Sequence, residues 1–96
     1  MASIKVTETK IAGLVIIEPQ VFGDERGYFM ETYNAKTFAD AGLSMHFVQD
    51  NQSKSKKGVL RGLHLQLKYP QGKLLWVVSG EIYDVGVDLR RGSPTY

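Results

Sequence analysis

The sequence predicts a mainly β domain, an antiparallel sandwich or barrel that contains one short helix. Short apolar runs rich in β-branched and aromatic residues recur along the chain, and Gly, Asn, Asp or Pro separates each run from the next. Turns rather than helices join the runs, which is typical of antiparallel sheets and not of parallel ones.

Six runs are predicted as strands. In chain order they cover residues 14–17, 27–33, 46–49, 59–66, 73–79 and 81–89. Alternation with a period of two places four apolar side chains on one face of the last strand, which we expect to line a core, and Asp84 and Asp88 on the opposite, wetter face. The four are Tyr83, Val85, Val87 and Leu89. The run from Leu74 to Val78 is apolar on both faces, which indicates a central strand.

Residues 34–42 predict the one helix, of about two turns. Asn34 suits the N-cap position, because its side-chain oxygen can accept a hydrogen bond from the first turn. Three alanines follow within the segment, and Gly42 comes directly after it, where a glycine favours the end of a helix.

The length of 96 residues predicts a single domain that spans residues 1–96. A hydrophobic fraction of 43% and a charged fraction of 23% suit a folded chain and argue against disorder. Arg90 to Pro94 has the composition of a turn, and Thr95 with Tyr96 resembles the start of a further strand. This ending predicts a truncated chain with an unpaired sheet edge.

Composition also argues against several classes of function. A net charge of +2 is too small for a nucleic-acid-binding surface, so the basic cluster Lys54–Lys57 is interpreted as a solvated loop, with an anion or nucleic-acid patch as the alternative. No apolar run approaches the roughly 18 residues of a membrane span. With no cysteine and only two histidines, 18 positions apart, no metal site is expected. The first residues lack the apolar core of a signal peptide, so we expect a cytoplasmic location.

Two candidate clusters place polar residues beside predicted strands. Gly23 to Gly27 is a charged turn before a strand from which Phe29 and Glu31 project on one face. Gln49 and Asn51 share strand parity, so their amides point the same way and suit hydroxyls or phosphate oxygens. Each cluster also has a plainer interpretation: a hairpin tip with surface charges, and a strand end that runs into an Asx turn.

Two further clusters place charge within or beside apolar strands. Arg61 and His64 lie in one predicted strand, where burial without a partner is costly. A histidine titrates near pH ~6.5, so it can exchange protons at neutral pH. Strict alternation puts the two on opposite faces, so both reach one pocket only if the strand bulges at Gly62. Lys73 follows a turn at the start of an apolar strand. In the alternative interpretation, His64 is a structural histidine and Lys73 is a snorkelling surface lysine.

Taken together, the clusters resemble one family over nearly all of the chain, the dTDP-4-dehydrorhamnose 3,5-epimerases. The matching stretches keep the family's order and spacing. They are Ile17–Pro19, Phe22–Gly27, Phe47–Asn51, Val59–His64, Pro70–Lys73 and Val87–Arg90. Any one stretch is weak evidence, whereas the set is specific, and it covers roughly the first half of the family's usual length.

The resemblance implies a cupin-like antiparallel jelly roll, or β-sandwich, that works as a homodimer without a metal or other cofactor. It implies a dTDP-linked 4-keto-6-deoxy sugar as substrate, epimerised at C3 and C5. The family's residue matching His64 is the general base, and the one matching Lys73 steadies the enolate oxygen. Residues implied to bind the nucleotide, diphosphate or sugar match Phe22, Arg26, Glu31, Gln49, Asp50, Asn51 and Arg61. The resemblance also implies that the strand region with Arg26 and Glu31 reaches into the partner subunit's site.

The chemistry of these residue types agrees with that role. A proton on a carbon next to a ketone is only weakly acidic, so a base alone cannot remove it quickly, and a fixed cation or hydrogen-bond donors in a dry site must stabilise the enolate as its charge grows. Lys73 offers a compact charge and His64 a base. We therefore predict that His64 and Lys73 line one cavity, with Arg61 at its mouth.

The sequence departs from the family by what it lacks. The family's acidic partner for the histidine and its proton-donating tyrosine have no counterpart among the 96 residues. Three alternatives therefore stay open: a dTDP-sugar mono-epimerase, a ketoisomerase that moves the keto group, and a non-catalytic nucleotide-sugar-binding fragment.

Overall fold

The computed structural model describes residues 3–96, which form two compact units. Of the described residues, 3–45 and 82–96 make up the first unit, and 46–81 make up the second. Within residues 3–96, all four strands and the one helix lie in the first unit. They are β1 (Ile4–Glu8), β2 (Val15–Pro19), β3 (Val21–Asp24), β4 (Gly27–Met30) and α1 (Ala35–Asp40). The mainly β class with one short helix is confirmed, whereas the jelly-roll topology and the single domain stay predictions.

Strands β1 and β2 form a two-stranded antiparallel sheet in which Ile4 lies opposite Pro19 and Glu8 opposite Val15. Apolar side chains on one face are half-buried, and the other face is exposed. On the exposed face the Nζ atom of Lys5 lies 3.7 Å from a carboxylate oxygen of Glu18, its cross-strand neighbour. Strand β2 was predicted; β1 was not, although Ile4 to Glu8 alternates apolar and polar residues at its start.

The loop from β1 to β2 is closed by local hydrogen bonds. The Thr9 hydroxyl donates to the Leu14 carbonyl oxygen at 2.7 Å, and the Ile11 N–H donates to the same hydroxyl oxygen at 3.2 Å. Gly13 has a φ of 89°, which a residue with a side chain rarely adopts. Because all of these partners lie within six residues, the two strands are brought together at a small entropic cost.

Strands β3 and β4 form a tight hairpin whose tip lies within the predicted charged turn; β3 was not predicted, and β4 is shorter than the predicted strand 27–33. Phe22 lies opposite Phe29, and Asp24 opposite Gly27, so only Glu25 and Arg26 remain in the turn. Antiparallel partners share a face, so the two phenylalanines lie on the same side of the hairpin. Both sides are open, because every residue from Val21 to Phe29 is exposed.

The helix α1 confirms the predicted caps at both ends. The Asn34 side chain accepts a hydrogen bond from the Thr37 N–H at 3.0 Å. At the other end, the Gly42 N–H donates to the Ala39 carbonyl and the Leu43 N–H to the Phe38 carbonyl, a Schellman arrangement in which Gly42 has a φ of 88°. Phe38 is 1% exposed and packs edge-on against the Tyr33 ring, with 4.8 Å between the ring centroids.

The apolar runs after residue 45 do not form strands, so the predictions for 46–49, 59–66, 73–79 and 81–89 are wrong. A strand exists only when its backbone pairs with a neighbour, and no described segment pairs with these runs. Their side chains are exposed: Leu60 is 91% exposed and Tyr83 94%. The predicted core face with Tyr83, and the central strand from Leu74 to Val78, are therefore wrong as well.

Burial in the described chain is confined to two side chains. Phe38 is the buried apolar residue and Asp88 the buried polar one. Among residues 3–96 no helix is long and apolar enough to cross a membrane. The same residues contain no group of three or more His, Cys, Asp or Glu side chains placed to hold a metal ion.

Candidate functional site

The hairpin turn holds Arg26 against a carboxylate. The Arg26 N–H donates to Oδ1 of Asp24 at 2.9 Å, which caps the turn. The guanidinium meets the same carboxylate through one edge: Nε lies 3.2 Å and Nη2 2.7 Å from Oδ2. This two-point pair lowers the pKa of the Asp24 carboxyl from its ordinary value and raises that of Arg26. Both groups are therefore charged at neutral pH.

An open depression lies along this hairpin, with a volume of about 470 Å³. Its lining combines the ion pair with aromatic rings. The lining residues are Phe22, Gly23, Asp24, Arg26, Gly27, Tyr28 and Phe29. Phe22 is 43% exposed and Phe29 71%, so both rings are accessible to a ligand. Of the candidates implied by the resemblance, Phe22 and Arg26 thus line one depression, and Glu31 lies just beyond β4, half-buried.

In the second unit, the two amides predicted to share a direction contact each other. The Gln49 side-chain NH₂ donates to the Asn51 side-chain oxygen at 3.3 Å. Asp50 lies between them and is exposed, as they are. The contact leaves the Gln49 carbonyl and the Asn51 NH₂ group for other partners, so the pair offers one acceptor and one donor group on the same side.

Arg61 closes a basic loop through neutral partners. Its Nε donates to the Ser55 hydroxyl at 2.8 Å, and Nη2 lies 3.4 Å from the Lys54 carbonyl oxygen. Inside this loop the Val59 N–H donates to the Lys56 carbonyl oxygen at 3.2 Å. Because hydroxyl and carbonyl groups carry no net charge, the positive charge of Arg61 is positioned but not neutralised.

His64 lies next to a bend in the chain rather than in a buried strand. The residue is exposed, so the expectation of an imidazole inside an apolar strand is wrong. Gly62 has a φ of 91°, so the backbone leaves the extended form where a bulge was predicted. A Cβ at Gly62 would lie 3.3 Å from the His64 backbone nitrogen and 3.4 Å from its Nδ1, so the imidazole folds back over the glycine.

Lys73 is exposed in the same unit. Neither His64 nor Lys73 has a hydrogen bond or ion pair to another described residue. That both line one cavity, with Arg61 at its mouth, stays a prediction.

A buried carboxylate that sequence reasoning did not single out lies in the first unit. Asp88 was assigned to a wet strand face, yet it is 6% exposed. Its carboxylate accepts hydrogen bonds from the Arg90 N–H at 3.0 Å and from the Arg90 Nε at 2.9 Å. It also accepts from the hydroxyls of Ser93 and Thr95. Arg90 in turn donates from Nη2 to the Ala12 carbonyl oxygen at 2.9 Å, which ties this turn to the loop between β1 and β2.

These donors hold the pKa of Asp88 far below its ordinary value. The Arg90 side chain is the largest cause, followed by the hydroxyls of Ser93 and Thr95. The arrangement follows from spacing, because Asp88, Arg90, Ser93 and Thr95 lie within eight residues of one another and offer one acceptor group and three donor side chains. The same short spacing between an acceptor and a donor side chain occurs for Asp24 with Arg26 and for Ser55 with Arg61.

The known proteins whose sequences are similar to this chain are epimerases. The family model described as dTDP-4-dehydrorhamnose 3,5-epimerase matches residues 8–96. A protein of that name from Methanothermobacter thermautotrophicus is 57% identical over 96 residues, which is 100% of this chain and 52% of the relative. A Shigella flexneri protein of that name is 59% identical over 93 residues, covering 95% of this chain and 51% of the relative.

A third relative of the same name, from Pseudomonas aeruginosa, is 54% identical over 93 residues. No solved structure shows a significant match. The chain belongs to the dTDP-4-dehydrorhamnose 3,5-epimerase family. It spans about half the length of the curated relatives it matches.

Proposed function

We propose that this chain carries the base and much of the substrate-binding surface of an enzyme that epimerises C3 and C5 of dTDP-4-keto-6-deoxyglucose. The product is dTDP-4-keto-L-rhamnose, a precursor of dTDP-L-rhamnose. The observation that carries the proposal is the family match over residues 8–96, which includes every candidate site residue. The rest of such an enzyme supplies an acidic partner for His64 and a tyrosine that donates the proton.

In the proposed reaction, the imidazole of His64 removes the proton from a carbon beside the C4 ketone. The electron pair of the broken C–H bond forms a C=C bond, and the carbonyl electrons move onto oxygen to give an enolate. Lys73 stabilises that oxygen as its charge develops, which lowers the barrier because the cation is already in place. A proton delivered to the opposite face inverts the carbon, and general acid–base assistance of this kind contributes about 10²–10⁴-fold.

The substrate carries a diphosphate, and two arginines suit it because a guanidinium pairs with phosphate oxygens through two parallel hydrogen bonds. Arg26 lies in the aromatic depression of the hairpin, and Arg61 has only neutral partners. We assign Phe22, Arg26 and Arg61 to the nucleotide diphosphate. The remaining binding residues proposed for nucleotide or sugar are Glu31, Gln49, Asp50 and Asn51.

We also propose that the enzyme is a homodimer in which the β3–β4 hairpin reaches into the partner subunit's site. The hairpin has the features of an element that packs elsewhere: Phe29 is 71% exposed, and a two-stranded sheet leaves both of its edges unpaired. Light scattering of the protein checks this, since replacing Phe29 by Ser should shift a dimer towards monomer. The cytoplasmic location stays a prediction.

Solvent deuterium incorporation tests the function. The assay incubates dTDP-4-keto-6-deoxyglucose in D₂O with a polypeptide that contains this chain and extends to the length of its relatives. We expect deuterium at C3 and C5 by NMR, and we expect His64→Ala to abolish it. His46→Ala is the matched control, because His46 is the other histidine and is also exposed. Exchange in His64→Ala at the control's rate would exclude His64 as the base.

A second candidate is a non-catalytic nucleotide-sugar-binding chain. It is favoured by one contrast: Arg26 and Arg61 have local partners that fix them, whereas His64 and Lys73 have none among the described residues. This candidate predicts binding of dTDP by the 96-residue chain without any deuterium exchange. Isothermal titration with dTDP, together with the exchange assay on the same chain, separates the two.

A further inference from the structure

Asp24 occupies one of the two hydrogen-bonding edges of Arg26. The edge formed by Nε and Nη2 lies against Oδ2 of Asp24, at 3.2 Å and 2.7 Å. The carboxylate does not depend on the guanidinium for its position, because the Arg26 backbone N–H also holds it at 2.9 Å. The other terminal nitrogen, Nη1, has no acceptor within residues 3–96. A phosphate group can therefore reach Arg26 only end-on, or by displacing Asp24.

Arg61 provides the contrast within the same chain. Its partners, a hydroxyl and a carbonyl, orient the guanidinium without cancelling its charge. At Arg26 the partner has the same sign of charge as a phosphate ligand and, like phosphate, accepts hydrogen bonds from two guanidinium nitrogens. The two arginines are thus both fixed, but only Arg26 faces an anion that belongs to the chain itself.

The ion pair between Asp24 and Arg26 is weak enough for a ligand to replace the carboxylate. Both side chains are largely exposed, and exposed ion pairs are weak because water and salt screen them. A small anion that meets Arg26 alone gains little by replacing the carboxylate. A ligand that is also held by the aromatic rings of the depression and by further contacts gains enough to replace it.

We propose that Asp24 is a specificity-determining residue that competes with phosphate for Arg26, so that free phosphate or diphosphate is rejected and a nucleoside diphosphate is accepted. The proposal rests on the proposed function, in which Arg26 binds the diphosphate. Asp24 lies in the turn that presents Arg26, and no other described carboxylate forms an ion pair with that guanidinium.

Ionisation of Asp24 supports the proposal at working pH. Arg26 lowers the pKa of this carboxyl, and the turn N–H groups lower it further. A carboxyl with a lowered pKa keeps its negative charge at all pH values above its ordinary value of 3.8. The competitor is therefore present throughout the neutral range and is lost only in strong acid.

The test is a titration of the chain with inorganic diphosphate, followed through the backbone amide signals of the hairpin by NMR. Asp24→Asn removes the charge but keeps a side-chain oxygen to cap the turn. Glu25→Gln is the matched control, because Glu25 is the adjacent exposed acid of the same turn and forms no ion pair with Arg26. Arg26→Ala, alone and combined with Asp24→Asn, reports whether Arg26 is the site.

We expect Asp24→Asn to bind diphosphate about three- to tenfold more tightly at low ionic strength, the factor that a unit charge roughly 6 Å away gives in water when it acts on about one to two charges of the ligand. Glu25→Gln should change the affinity less than half as much on a logarithmic scale. The gain should shrink in high salt and vanish in the Arg26→Ala background. For dTDP the gain should be of similar size, because dTDP displaces the same carboxylate, whereas its contacts with the rings raise its affinity for every variant.

The titration distinguishes failure of the proposed competition from failure of the proposed role of Arg26. Equal or weaker binding by Asp24→Asn, or an equal gain from Glu25→Gln, overturns the competition while leaving Arg26 as a diphosphate ligand. Diphosphate binding that is unchanged by Arg26→Ala, or absent from every variant, overturns the proposed role of Arg26 and the competition with it.

Discussion

The two units differ in secondary structure although both contain apolar runs. Residues 3–45 contain four strands and a helix, whereas residues 46–81 contain neither, although they carry long apolar runs. Hydrophobic content is therefore not what separates them. The difference lies in how far along the chain each segment finds its hydrogen-bonding partner. Strand β1 meets β2 across a six-residue loop, and β3 meets β4 across a two-residue turn.

Short closures matter because the entropy lost in joining two segments grows with the length of chain between them. Thr9 and Asp24 lower that cost further by fixing the turns with side-chain hydrogen bonds. The run 59–66 has no such neighbour. Its one structured feature, the loop closed by Arg61 and Ser55, is also local. Elements with nearby partners therefore form in this chain, and elements that need distant partners do not.

The largest expected difference between the units is in backbone hydrogen exchange. Amides that donate within the β1–β2 ladder should exchange roughly tenfold or more slowly than amides of residues 59–66 and 73–78, because exchange requires a hydrogen bond to open. Exchange followed by NMR at constant pH measures this. Protection of the amides of 59–66 equal to that of the β1–β2 ladder would contradict this difference between the units. In a polypeptide of the relatives' length, we expect protection to appear in both runs.

The next largest effect concerns packing. Phe38→Ala should lower the free energy of unfolding by about 3 kcal/mol, because it removes a fully buried ring and leaves a cavity. Trp76→Ala, which truncates a 42% exposed ring in the second unit, should lower it by about 1 kcal/mol or less. Urea unfolding followed by circular dichroism gives both values. A larger loss from Trp76→Ala would mean that residues 46–81 have a packed core.

A smaller effect, with a distinct pH dependence, is expected at Asp88. Its pKa is lowered in the folded chain, so the stabilisation that it provides is complete above its unfolded value of about 3.8 and is lost progressively as the pH falls from that value towards the lowered folded pKa. Asp88→Asn should lower the urea midpoint at pH 7 and lower it less at pH 2, where part of the stabilisation is already lost. Asp50→Asn, an exposed control in the second unit, should leave the midpoint unchanged at both values. A wild-type midpoint that rises in acid would contradict this assignment.

The candidate site was predictable where its parts are local. The Gln49 and Asn51 amides lie together as predicted, although the strand assumed for their parity does not form, and glycine content marked the bend at Gly62. The surroundings of His64 were not predictable, because alternation in a strand says which residues share a face only after the strand has a neighbour. The spacing of Asp24 and Arg26 allows their ion pair, which the hairpin-tip interpretation includes only as surface charge.

By itself, the sequence determined the caps of α1, the charged turn between β3 and β4 and the family to which the chain belongs. Each of these depends on residues a few positions apart, or on motifs that need no coordinates. Only the tertiary structure decided that Asp88 is buried and that the apolar face with Tyr83 is exposed. The reason is physical: burial and strand pairing depend on which segments meet in space, and the pattern within one segment cannot specify the segment opposite.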